Sequence, residues 1–432
     1  MLDSNLTYYM TNHLLHSTLI PGKEIAITGS KSETNRLLLL QALYPFLHLE
    51  NTSNSDDSDV MMQALQKLQV ENQDEHVIDV HHAGTAMRFL TAFFAIQEGK
   101  KVLLTGSSRM KERPIQILVE ALQQLGADIT YAEQDGFPPL EITGKKISQN
   151  KVSLPAHISS QYISALLLIA PSLERGIELT LEGEITSIPY IQMTLALLQQ
   201  IGVTSSFEGN QIRVYPMMAP PKESASMSIT VESDWSSASY WYSIIALSDV
   251  GTEVTLSSYR PNSLQGDQVL VSLYEKLGVT TTFLPHFRLR LTKVSPPTTS
   301  HFEAHLIGAP DIAQTIAVTC FGLGISCTLT GLHTLKIKET DRLVALQQEI
   351  SKLGGQIQTT ADTLHLESST QLIPNVAIAT YQDHRMAMAF APLALRVPIH
   401  IENAEVVSKS YPTFWSDLAQ VGISGEMSEN KS

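Results

Sequence analysis

Lys338, Glu339, Thr340, Asp341 and Arg342 stand consecutively in a chain of 432 residues. A carboxylate beside a lysine suits proton transfer, because partner and surroundings tune its pKa toward the working pH. Thr340 or Asp341 can cap the helix DRLVALQQEISKLG, but capping does not call for Lys338 and Glu339. Asp383-His384-Arg385 opens another helical run, and Lys409 follows in VVSKSYP. Arginine grips carboxylate or phosphate through two parallel hydrogen bonds, which lysine does not. Nearer the N-terminus, Gly29-Ser30-Lys31-Ser32 follows IAIT, with Arg36 one turn further on. Ser30-x-x-Glu33 reads as a capping box, which leaves Lys31 and Arg36 unexplained and favours an anion site. Arg88 follows Ala83-Gly84-Thr85, where the glycine lets a ligand approach the backbone. Arg109, Lys111 and Arg113 crowd around Glu112, either as part of that site or as a solvated loop. Ser159-Ser160-Gln161 offers neutral donors at another helix start, or simply a cap.

These cations belong to an acidic chain: 29 Lys and Arg against 43 Asp and Glu, a formal charge of −14. That balance argues against nucleic acid and anionic membrane as partners. Basic residues gathered at element boundaries instead point to one positive cleft for a small ligand carrying phosphate and carboxylate. No P-loop, dinucleotide-binding glycine motif, zinc-protease helix or nucleophile elbow occurs, so neither metal nor cofactor is expected. His81-His82 has the wrong spacing for a convincing metal pair. Cys320 and Cys327, the only cysteines, read as buried small hydrophobes in a reducing compartment. The N-terminus lacks a signal-peptide pattern, and no apolar run approaches the ~20 residues of a membrane helix, so the expected location is the cytoplasm.

The elements that position these residues repeat. LQQLGA, LLQQIGV, LYEKLGV and ISKLGG end in Gly126, Gly202, Gly278 and Gly354, three successive steps of 76 residues. Each reads as a helix closed by a glycine C-cap, followed by a strand. LQKLQV at 65–70 is a weaker relative without the glycine. Helix starts marked by Ser32, Gly84, Ser159, Ser237, Asp311 and Asp383 recur at steps of 52, 75, 78, 74 and 72. Alternating runs such as VLLTG, LEITG, EVTLSS and CTLTG supply strands between them. Six α/β units exceed one core, so two lobes of three are expected. A crossover is placed near Asp234, after the Pro- and Ser-rich stretch 216–228.

GSKSETNR, HAGTAMR, RMKERP, SSQYISALL, PDIAQTIA, KETDRL, DHRMAMAF and KSYPTFW, in this order and over essentially the whole chain, resemble the 5-enolpyruvylshikimate-3-phosphate synthase family. The resemblance implies a two-lobed enolpyruvyl-transferase fold of the inside-out α/β-barrel type, with six βαβαββ-like units, three per lobe. Residues 29–234 would form the lobe on the shikimate 3-phosphate side. Residues 1–28 with 235–432 would form the lobe carrying the acid and base.

The implied reaction moves the enolpyruvyl group of phosphoenolpyruvate onto the 5-hydroxyl of shikimate 3-phosphate, in a chain expected to be monomeric. By motif position, Lys31, Ser32, Arg36, Ser159, Ser160, Gln161 and Ser187 would hold shikimate 3-phosphate, with Asp311 and Lys338. Lys31, Gly84, Arg113, Gln161, Arg342, Arg385 and Lys409 would surround phosphoenolpyruvate. Asp311 would take the hydroxyl proton, helped by Lys338, and Glu339 would protonate the methylene carbon. His82, Phe89, Ile188 and Thr334 depart from the family pattern, where Asn, Pro, Lys and Asn are usual. The sister transferase acting on UDP-N-acetylglucosamine is the nearest rival, but it usually carries a reactive Cys or Asp in a first-lobe loop. Residues 29–234 contain no cysteine. A non-catalytic anion sensor on the same fold is the other alternative, and it would not need Asp311, Lys338 and Glu339 together.

Overall fold

The computed structural model describes residues 8–70, 75–156, 159–183, 185, 188–217 and 226–431. The chain divides into two compact units, Met1–Thr28 with Glu232–Ser432, and Gly29–Val231.

The repeating element is a mixed sheet with crossover helices. Strand His301–His305 pairs parallel with Ser326–Thr330 across helix Ala313–Leu323. Parallel neighbours require such a crossover, whereas the antiparallel pair Ile357–Thr359 and Leu364–Leu366 closes through a short turn. The same order recurs in the sheet Glu75–Asp79, Lys101–Thr105, Leu140–Thr143 and Asp128–Tyr131, and in its neighbour built from Lys151–Pro155 to Gln211–Val214. In the unit holding the chain ends, Lys23–Ile25 pairs parallel with Glu253–Leu256. There Tyr8–Leu14 lies between Ile399–Ile401 and Gly425–Lys431.

Five sheets have four strands, and the sixth, Leu47–Glu50 beside Met227–Thr230, has two among the described residues. That shortfall accounts for the first helix-start step of 52 residues. Helix Asp56–Val70 leads toward Glu75–Asp79, the opening strand of the next unit, without the hairpin found in the longer steps. LQKLQV ends this helix and needs no glycine to start a hairpin. The four repeat glycines do need one: Gly126, Gly202, Gly278 and Gly354 have φ of 102°, 91°, 80° and 96°. This left-handed backbone turns the chain out of a helix at little cost only for glycine.

Helices buried on nearly every side form the centre of each unit. Trp235–Leu247, Ala313–Leu323 and His384–Phe390 pack together in one, and Lys31–Leu43, Gly84–Ala95 and Ser160–Ile169 in the other. Most of these helices are apolar on nearly every face, as a core requires, and each buried Leu, Ile or Phe contributes about 1.5–3 kcal/mol; Lys31–Leu43 is the exception, burying Glu33, Asn35 and Arg36 in its first turns. The sheets cover them with alternating strands such as Glu75–Asp79, whose His76 and Ile78 face inward. Lys31, Ser32, Gly84, Ser159, Ser160, Gln161, Asp311 and Arg385 sit at or near the N-termini of these central helices, while Lys338, Glu339 and Arg342 sit at the start of helix Arg342–Lys352.

Candidate active site

Asp311 lies in the turn Pro310–Ile312 leading into helix Ala313–Leu323, Arg342 opens helix Arg342–Lys352, and Asp383 caps helix His384–Phe390. Their side chains form one cluster around Arg342, which is only 2% exposed. Its Nε donates to Asp383 Oδ2 at 2.6 Å, Nη1 to Asp311 Oδ1 at 2.8 Å and Nη2 to Glu339 Oε2 at 2.8 Å. Arg385 Nη2 stands 3.3 Å from Asp311 Oδ2, and Lys338 Nζ 3.5 Å from Asp311 Oδ1. Lys409 Nζ donates at 2.7 Å to the carbonyl of Gln382, next to Asp383. Capping falls to Asp341 rather than Thr340: its Oδ1 accepts from the Leu343 and Val344 amides, both at 3.2 Å. Lys338, Glu339 and Arg342 are thereby left for the cluster.

Burial alone would raise the Asp311 carboxyl, but Arg385, Lys338 and Arg342 outweigh it and hold it well below the usual range. Burial likewise opposes charge on both arginines, and the surrounding carboxylates reverse the effect. Asp383, Glu339 and Asp311 raise Arg342, while Asp311 foremost raises Arg385. Asp267 shifts the other way, to about 7, pushed up by burial and then by the charge of Asp311. It accepts a 2.5 Å hydrogen bond from Ser236 Oγ.

In the unit Gly29–Val231, Arg36 is buried in helix Lys31–Leu43. Nε donates to Thr194 Oγ1 at 2.8 Å, Nη1 to the Ser32 carbonyl at 2.7 Å and Nη2 to Ser164 Oγ at 3.0 Å. Burial lowers its pKa to about 10, and no described carboxylate forms an ion pair with it. Its guanidinium lies 5.4 Å from the ring centre of Phe89, so that departure from the family pattern becomes a cation–π contact. Lys31 Nζ is 3.4 Å from Asp57. Ser30 makes no capping bond, so the capping box is not formed; Ser30 is the N-cap by position only. Ser159 does cap, accepting from the Gln161 amide at 3.4 Å, while Gln161 Nε2 donates to Thr85 Oγ1 at 3.0 Å. This bond joins the starts of helices Ser160–Ile169 and Gly84–Ala95.

Two arginines meet over Gly84. A Cβ there would lie 2.6 Å from Arg113 Nη1 and 2.8 Å from Arg88 Nη1. Arg88 is lowered by burial and then by the charge of Arg113, and its Nε is buried without a hydrogen-bond partner. Neither makes an ion pair among the described residues. Paired guanidinium groups at a helix N-terminus form a strong anion site. Lys111 instead pairs with Glu133 at 2.6 Å, so only part of the basic loop contributes.

The structure thus gathers Asp311, Lys338, Glu339, Arg342, Arg385 and Lys409 in one unit. In the other it gathers Gly84 with Arg113, and separately Gln161 with Thr85, at a helix start that Ser159 caps and Ser160 opens. Ser187 lies outside the described residues. Thr334 Oγ1 is buried without a hydrogen-bond partner. The sequence gives no sign of Asp267: Gln265-Gly266-Asp267 carries no charge pattern, and only its contacts reveal it. Among the described residues no group of three His, Cys, Asp or Glu is arranged for a metal, and no helix is long and apolar enough to cross a membrane.

A family model described as EPSP synthase (3-phosphoshikimate 1-carboxyvinyltransferase) matches residues 21–418. A 3-phosphoshikimate 1-carboxyvinyltransferase from Bacteroides fragilis strain YCH46 is 42% identical over 410 residues, covering 94% of this chain and 96% of that protein. Another, from Neisseria meningitidis serogroup B strain MC58, is 35% identical over 423 residues, covering 93% and 96%. Among solved structures, EPSP synthase from Acinetobacter baumannii matches with a TM-score of 0.79 at 21% identity, covering 97% of this chain and 100% of that one. The enolpyruvyl transferase NikO from Streptomyces tendae matches with a TM-score of 0.70 at 12% identity, covering 98% and 99%. Both likenesses show the mixed α/β enolpyruvyl-transferase fold.

Proposed function

The chain belongs to the EPSP synthase (3-phosphoshikimate 1-carboxyvinyltransferase) family, and from that premise we propose how its residues perform the reaction. The enolpyruvyl group of phosphoenolpyruvate passes to the 5-hydroxyl of shikimate 3-phosphate, and phosphate is released. This is a step of the shikimate pathway toward chorismate and the aromatic amino acids.

Lys31, Ser32, Arg36, Ser159, Ser160, Gln161 and Ser187 bind shikimate 3-phosphate, with Asp311 and Lys338 reaching its hydroxyl end. Lys31, Gly84, Arg113, Gln161, Arg342, Arg385 and Lys409 bind the phosphate and carboxylate of phosphoenolpyruvate. Attack at C2 of the enol requires the hydroxyl to lose a proton while C3 gains one. Asp311 receives the first proton, aided by Lys338, and Glu339 supplies the second. The anionic tetrahedral adduct then loses phosphate as a proton leaves the new methyl group. Preorganised guanidinium and ammonium groups stabilise that adduct.

The observation that carries this reading is the placement of Asp311 against Arg342, Arg385 and Lys338. A carboxylate held so far down is a weak base. Substrate anions compete for the same donors, and each donor turned toward substrate weakens the field that suppresses Asp311. Basicity therefore rises when phosphoenolpyruvate binds, so that proton transfer follows assembly of the complex. The working unit is a single chain in the reducing cytoplasm, where the buried Cys320 and Cys327 remain thiols.

Phosphate release from phosphoenolpyruvate, measured with shikimate 3-phosphate and separately with UDP-N-acetylglucosamine, tests the reading. Release with the first acceptor alone is expected; release with the second alone would replace it with the sister activity.

A further inference from the structure

The turn Thr380–Asp383 is closed by the Asp383 amide donating to the Thr380 carbonyl at 2.8 Å. Its two central residues, Tyr381 and Gln382, have φ of 53° and 57°. Two successive left-handed residues suit glycine, asparagine or aspartate, and none of the three stands at position 381 or 382. A strained turn persists only where surrounding contacts hold it.

Those contacts come from helix Arg342–Lys352. Arg342 Nε grips Asp383 at the start of the helix. Glu349 lies seven residues later, two turns on and on the same face. Its carboxylate is fully buried. Oε1 accepts from the Tyr381 hydroxyl at 2.5 Å and Oε2 from the Ala379 amide at 3.1 Å. The Tyr381 oxygen also lies 2.6 Å from the Gln348 side-chain amide, and Lys352 Nζ donates to Glu349 Oε2 at 2.7 Å. The helix therefore holds the turn from both sides. On the turn's other face, the Gln382 carbonyl accepts Lys409 Nζ at 2.7 Å, and Asp383 Oδ1 accepts the Arg385 amide at 2.8 Å.

We propose that Glu349 and Tyr381 are positioning residues: they clamp the left-handed turn at 381–382 and so set Arg385 and Lys409 for the anionic groups of phosphoenolpyruvate. Neither touches the substrate. The inference rests on the assignment of Arg385 and Lys409 to phosphoenolpyruvate. A buried carboxylate in the Leu343–Leu346–Ile350 stripe is costly unless its oxygens are satisfied, and here the Tyr381 hydroxyl and the Ala379 amide, in and beside the turn, satisfy it together with Lys352.

The test is Tyr381→Phe, with Glu349→Gln as a second variant that preserves shape if the first folds poorly. Both are compared with wild type for KM of each substrate, kcat, melting temperature and dissociation constant for inorganic phosphate. The expected result is a rise of about tenfold in KM for phosphoenolpyruvate and in the phosphate dissociation constant, the scale of one misplaced charged contact. KM for shikimate 3-phosphate should stay unchanged. Adding Gln382→Gly to Tyr381→Phe should recover much of the loss, because glycine adopts the left-handed backbone without a clamp. A fall in melting temperature with phosphate binding and both KM values unchanged would overturn the proposal. If wild type binds phosphate in a Tyr381-dependent way yet turns over no substrate, the clamp stands and the assigned reaction falls.

Discussion

The carboxylate of Asp311 accepts a 2.8 Å hydrogen bond from Arg342, a side chain only 2% exposed. Asp311→Asn keeps the shape while removing the proposed proton acceptor, and kcat should fall at least about a hundredfold, the usual scale for losing a general base. Folding stability should fall by about 3 kcal/mol, the lower end for breaking a buried pair, since Asp383 and Glu339 still hold Arg342. Because the folded pKa of Asp311 is depressed, its stabilisation is present above the unfolded value and disappears as pH falls through the folded one. Wild type and variant should therefore converge in stability only in strong acid. Urea unfolding across pH, together with steady-state rates, checks both parts.

Asp267 predicts the opposite slope. Its folded pKa, about 7, lies above the unfolded value of about 3.9, so the stability linked to this group is complete below that lower value. It is lost as pH rises through 7. Relative to Asp267→Asn, wild type should lose melting temperature between pH 4 and pH 7, and parallel curves would contradict the assignment.

Arg36→Ala should weaken shikimate 3-phosphate binding far more than phosphoenolpyruvate binding, measured by calorimetry for each substrate. Arg36→Lys should not restore it, since one ammonium cannot reach Thr194, Ser164 and the Ser32 carbonyl together. Equal losses for the two substrates would remove Arg36 from the shikimate side.

Gly84→Ala places a methyl 2.6 Å from Arg113 Nη1 and 2.8 Å from Arg88 Nη1, both ends of flexible side chains. The fold should tolerate it, because the backbone of Gly84 is helical. The expected outcome is a raised KM for phosphoenolpyruvate with little change in melting temperature. An unchanged KM would place the substrate away from this arginine pair.

Much of this organisation was legible in the residues, because glycine C-caps and apolar helix faces are local signals. The 76-residue glycine step marks real left-handed helix exits, and the short step of 52 marks the unit whose hairpin is missing among the described residues. The motif KETDR also announced its cluster, although only coordinates decide that Asp341 caps while Glu339 binds Arg342. Ser30 misled, since a serine at an N-cap position need not use its hydroxyl. The clamp of Glu349 on Tyr381 could not be read, because it joins residues 32 apart through side-chain geometry without periodicity. A glutamate within an apolar helix stripe was the one available hint.

In the proposed reaction Glu339 delivers a proton to the methylene carbon while Asp311 removes one from the acceptor hydroxyl. Running the reaction in D2O and measuring deuterium in the vinyl group of the product tests it most directly. Wild type should incorporate deuterium through the transient methyl group, and Glu339→Gln should bind both substrates but incorporate almost none. Incorporation by Glu339→Gln at the wild-type rate would remove Glu339 from the proton-transfer role.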